Sequence, residues 1–61
     1  MNEIVKILMD RDGLSRAEAE NLFSDAQDEL NNRLAYGEDC FYICEEYFGL
    51  EPDYLMDLIP V

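Results

Sequence analysis

The sequence predicts an all-α chain, a compact three-helix bundle with a short fourth C-terminal helix. Three observations carry that expectation. Apolar residues recur at about 100° per residue instead of alternating. Glycine and proline fall only where they would separate short helices, at Gly13, Gly37, Gly49, Pro52 and Pro60. Ser15 stands three residues before Glu18, the pattern of a capping box at a helix start.

The first helix is expected over about residues 2–12. Ile4, Val5, Ile7, Leu8 and Met9 cover a wide arc opposite Asn2, Glu3, Lys6 and Asp10, and an arc of that width calls for two packing partners. Asp12-Gly13-Leu14 then breaks the helix. The second, about 15–36, carries Ala19, Leu22, Phe23, Ala26, Leu30 and Leu34 in one stripe and is the longest element. Glu29 precedes Arg33 by four residues, the favourable order for a helical ion pair. Gly37 suits the left-handed position that closes a helix, and Glu38-Asp39 puts negative charge at the start of the next, about 38–48.

On that third helix Cys40, Phe41, Ile43, Cys44, Tyr47 and Phe48 form one arc, leaving Tyr42 among carboxylates. A buried strand over 40–44 is the competing reading, because aromatic and branched residues favour sheets. Helix is preferred because no second strand exists to pair with it. Pro52 suits the first position of a fourth helix, about 53–59, which Pro60 stops. Its Leu55, Leu58 and Ile59 are expected to fold back over the open side of the bundle.

Size and charge bound the rest. With 61 residues, 15 acidic and 4 basic side chains and no histidine, the chain carries a net charge of −11. One small domain, 1–61, is the expectation, and a core at this size rarely supplies more than about 3–5 kcal/mol. Self-repulsion makes stability rise with salt, and a second subunit would add buried apolar area. The wide face of Ile4, Val5, Leu8 and Met9 is the expected surface for a homodimer. Free nucleic acid and anionic membranes would repel so acidic a protein. Met1-Asn2-Glu3 lacks the start of a signal peptide and no run is long enough to span a bilayer, so a cytoplasmic location is expected.

Chemistry is sparse. The only serines are Ser15 and Ser24, the only lysine is Lys6, and no histidine is present, so no nucleophile and base pair can be proposed. No catalytic residue, cofactor or metal ligand is assigned. Asp10-Arg11-Asp12-Gly13 shares the Asp-x-Asp-Gly part of a calcium loop, but that frame puts Leu8 and Ala19 where the first ligand and the bidentate glutamate belong. Cys40 and Cys44, one helical turn apart, read as small apolar residues kept reduced.

What remains is surface. Residues 34–61 hold seven acids and no base, while all four cations lie in 1–33. Six of the seven aromatics, Tyr36, Phe41, Tyr42, Tyr47, Phe48 and Tyr54, share the acidic half, and tyrosine is a common interface anchor. The expected partner-binding face is Glu38, Asp39, Tyr42, Glu45 and Glu46, meeting a basic protein surface. Carboxylates three or four residues apart on a helix stand about 5–6 Å from one another, a spacing of the order of successive phosphates, so such a face could act as a nucleic-acid mimic.

Residues Arg11 to Glu20 (RDGLSRAEAE) and Gly49 to Leu58 (GLEPDYLMDL) resemble small acidic proteins encoded by phages, prophages and mobile elements of Gram-positive bacteria. The resemblance implies expression inside a bacterial host and binding to a host factor, since such proteins include inhibitors of restriction and CRISPR nucleases. It carries over no functional residue. Two classes of function follow: a non-enzymatic partner-binding protein using the acidic face, and a structural or assembly protein that oligomerises through helix one with the acids as a solubilising coat.

Overall fold

Asn2 starts the first helix by placing its side chain over an orphan amide. Its carboxamide oxygen accepts from the Ile4 amide at 2.8 Å, and α1 runs from Glu3 to Asp12 before Gly13 ends it in the left-handed conformation. Residues 2–59 are described here, in a computed structural model. The Ser15 hydroxyl then accepts from the Glu18 amide, while the Glu18 carboxylate accepts from the Ser15 amide, both at 3.1 Å. This capping box opens α2, Arg16–Ala35, and the Ser15 amide holds the Glu18 carboxyl below the ordinary glutamate range.

The chain continues through α3 (Ile43–Phe48), a 3₁₀ turn (Pro52–Tyr54) and α4 (Leu55–Leu58). No strand occurs among the described residues, so 40–44 is not a strand. The fold is an all-α bundle with a short C-terminal closing element. Ile4, Val5, Leu8, Ala19, Ala26, Leu30, Ile43, Cys44, Phe48 and Leu58 form its core. The surface area of 4065 Å² matches the about 4,100 Å² expected of a folded monomer of this mass.

Helix α3 begins at Ile43, five residues later than the pattern predicts. The cause lies at Asp39, whose side chain accepts from the Phe41 amide at 2.9 Å. Such a side-chain bond two residues on offers the backbone an alternative to helix. Glu38 and Asp39 therefore lie in a connecting loop and not in a helical first turn. The fourth helix is likewise shortened, because the turn that Pro52 opens is 3₁₀ and only Leu55–Leu58 is α-helical. Pro60, expected to stop it, lies outside the described residues.

Helix length explains a second departure. At 1.5 Å per residue α2 reaches about 30 Å and the antiparallel α1 about half of that. Beyond Leu30 the second helix has outrun α1, which leaves Leu34 57% exposed although it continues the apolar stripe. The molecule is accordingly elongated, 34 × 19 × 19 Å.

Two amides and one leucine seat α4. Asn2 Nδ2 donates to the Asp57 carbonyl at 2.8 Å, and Gln27 Nε2 donates to the Leu58 carbonyl at 3.0 Å. Both carbonyls are orphans of a helix end, and they are satisfied from α1 and α2 while Leu58 enters the core fully buried. Leu55 packs against that core, whereas Ile59 remains partly exposed. On the opposite side Arg11 donates to the Phe48 carbonyl and so tethers the end of α1 to the end of α3. Gly49 follows in the left-handed region at φ 65°, and the Leu50 amide reaches back to the Cys44 carbonyl at 3.2 Å to complete the cap.

Leu58→Ala is therefore expected to cost about 2–5 kcal/mol, most of what so small a core supplies. Urea denaturation followed by circular dichroism should find it largely unfolded without denaturant. A midpoint equal to that of the parent protein would show that α4 is not part of the core.

Candidate interaction surface

The residues expected to form an oligomerisation face lie elsewhere. Ile4, Val5 and Leu8 are buried in the protomer's own core, and Met9 packs against it. The wide arc finds its two partners within the chain, since α1 touches both α2 and α4. Ile4, Val5 and Leu8 present almost no surface to a second copy, and Met9 is partly covered.

The five expected partner-binding residues are all exposed, but they do not share one helix face. Glu38 and Asp39 sit on the loop, Tyr42 caps the start of α3, and Glu45 and Glu46 lie in its first turn. Two of the four carboxylates are already engaged. Asp39 holds the Phe41 amide, and Glu46 Oε2 accepts from Arg33 Nη2 at 2.8 Å.

Arg33 organises this end of the molecule. It keeps the expected pair with Glu29 at 3.1 Å, and its other nitrogens reach Glu46 and, at 3.4 Å, the Asp39 carbonyl. One guanidinium thus joins α2, the loop and α3 in a fork that lysine could not reproduce. Its side chain is only 20% exposed. Glu46 first and Glu29 second raise its pKa.

The other arginines form their ion pairs locally, Arg11 with Asp12 at 2.9 Å beside its bond to the Phe48 carbonyl and Arg16 with Glu20 at 3.3 Å. Among the described residues Glu46 is the only acid beyond Tyr36 that an ion pair reaches. The bidentate bond from Arg11 also holds Asp12 below the ordinary carboxylate range, so the second aspartate of the apparent calcium-loop fragment serves an ion pair at the end of α1.

Phe41, assigned by the helical pattern to a buried arc, is 51% exposed, and its ring meets Tyr42 edge to face at a centroid distance of 5.1 Å. Tyr42 is 52% exposed and Tyr36, just past the end of α2, 79%. Tyr47 and Tyr54 pack against the core and Phe48 is within it. Half of the aromatics of the acidic region are therefore structural and half are surface.

Cys44 is buried and Cys40 partly so, and both are free. Burial, with the charge of Asp57 added, pushes the Cys44 thiol up. No group of three or more potential metal ligands gathers among the described residues, and no helix among them is long and apolar enough to cross a membrane. Comparison with protein-family models, with curated proteins and with solved structures finds no match to the chain.

Two outcomes test this geometry. Glu46→Gln should lower the urea midpoint, whereas Glu45→Gln, which relieves repulsion without breaking a pair, should leave it unchanged or raise it. Equal losses would mean that the Arg33 bridge does not form. In thiol labelling of the native protein, Cys40 should react first and Cys44 only as the protein unfolds, and simultaneous modification would contradict the buried position of Cys44.

Proposed function

We propose that this chain is a non-enzymatic acidic protein of phage or mobile-element type that works in a bacterial cytoplasm by binding a basic protein surface. The observation that carries the reading is the exposed Phe41 and Tyr42 pair, flanked by Glu38 and Glu45, two carboxylates outside every ion pair of the described residues. Exposed aromatics beside charge are what interface anchors look like before a partner arrives. The sign of the partner follows from the net charge of −11 and from the seven acids of residues 34–61 with no base among them. Complementary fields speed encounter and reject acidic competitors.

One form of this reading is occupation of a nucleic-acid channel in a host nucleic-acid-binding protein or defence nuclease. The observation that supports it is the surplus of carboxylates, since three arginines are consumed by four acids and leave most of the fifteen uncompensated.

The test is capture from nuclease-treated bacterial lysate on immobilised protein and on the double variant Glu38→Lys, Glu45→Lys. The expected result is a basic nucleic-acid-binding protein held at low salt, released at high salt, displaced by added DNA, and missing from the variant although its helical circular dichroism is intact. Equal capture by both proteins, or capture indifferent to salt, would refute the reading.

A further inference from the structure

The acids account for the sign of a partner but not for the apolar surface beside them. Leu34, Tyr36, Phe41 and Tyr42 are each more than half exposed, and they fall within residues 34–42. They mark the end of α2 that has outrun α1 and the loop that follows it. The Phe41 and Tyr42 rings touch each other, and large apolar side chains exposed this close together along a chain are seldom left without a use.

Nor is the cluster loosely held. The Glu38 amide donates to the Arg33 carbonyl at 2.7 Å, Asp39 holds the Phe41 amide at 2.9 Å, and Arg33 binds the Asp39 carbonyl and Glu46. A loop fixed at three points presents its aromatics with little ordering left to lose on binding.

We infer that this cluster is a docking surface for an amphipathic segment of the partner, with apolar residues on one side and arginine or lysine alongside. The inference rests on the partner-binding reading above and supplies the chemistry of the occupant. Charge complementarity selects it. A second copy would bring another net charge of −11 to a region whose acids Glu38, Asp39 and Glu45 already lack a cation, whereas arginine would pair with them and stack on the Phe41 and Tyr42 rings. A channel that reads only phosphate-like charge would have no use for Leu34 and Tyr36.

Three synthetic helical peptides of one length test the inference. The first carries leucines on one face and arginines on the other, the second replaces its leucines by serine, and the third replaces its arginines by glutamine. Binding is read by fluorescence anisotropy and located by amide chemical shifts of the full chain. The first peptide should bind tightest and shift Leu34, Tyr36, Phe41 and Tyr42. Tyr36→Ser and Phe41→Ser should each weaken it by about tenfold, the loss typical of an interface anchor, with helical content unchanged.

Equal binding of the first and second peptides, with shifts spread over the acids, would overturn the apolar dock and leave the partner-binding reading standing. Equal binding of the first and third, or failure of all three, would overturn both. A concentration-dependent dimer whose shifts map to the same four residues would overturn the inference by naming a second copy as the occupant.

Discussion

The seat of Leu58 is the contact on which the other elements depend. Among the described residues ten buried ones make up the core, and Leu58 belongs to a helix of four residues that no local propensity would hold together. It stays because its terminal carbonyls are bound by Asn2 from one helix and Gln27 from another. Those two donors lie close in space because α1 and α2 are antiparallel and the start of α1 sits beside the middle of α2. The capping box at Ser15 fixes where that pairing begins. Helix start, helix pairing and core closure are in this sense one arrangement.

Electrostatics works within the same small frame. A net charge of −11 opposes compaction, and two of the three arginines do more than neutralise an acid, because they join elements. Arg11 ties α1 to the end of α3, and Arg33 ties α2 to the loop and to the start of α3. Both reach from the half of the chain that holds the cations into the half that has none. Glu38 and Glu45, close in sequence to the exposed Phe41 and Tyr42 pair, are reached by neither.

Much of the fold was legible because it rests on local chemistry. The capping box, the left-handed glycines at positions 37 and 49, the Glu29 and Arg33 pair and the buried Ala19, Ala26 and Leu30 all follow from neighbours within one or two helical turns. Asn2, assigned to the polar side of the first helix, is instead its cap, a role that asparagine near a helix start commonly takes. The rest depended on distance in space. A helical wheel gives α1 an apolar face without saying whether a second copy or the chain's own α4 will cover it. Nor can it show that Asp39 will bind the Phe41 amide and delay α3, or that α2 will outrun its neighbour and expose Leu34. For the same reason exposure was half legible: Glu38, Asp39, Tyr42, Glu45 and Glu46 lie on the surface as expected, whereas Leu34 and Phe41 were assigned to the interior and came out exposed.

Native-state hydrogen exchange measured residue by residue tests the closing of the core most directly. The Ile59 amide is bonded to the Leu55 carbonyl at 3.1 Å, so its exchange reports the opening of α4. If the seat of Leu58 holds the fold together, this amide opens only with global unfolding and shares the protection free energy of the Leu30 amide within α2. Fast exchange at Ile59 while Leu30 stays fully protected would show α4 fraying from an intact bundle, and would contradict the account.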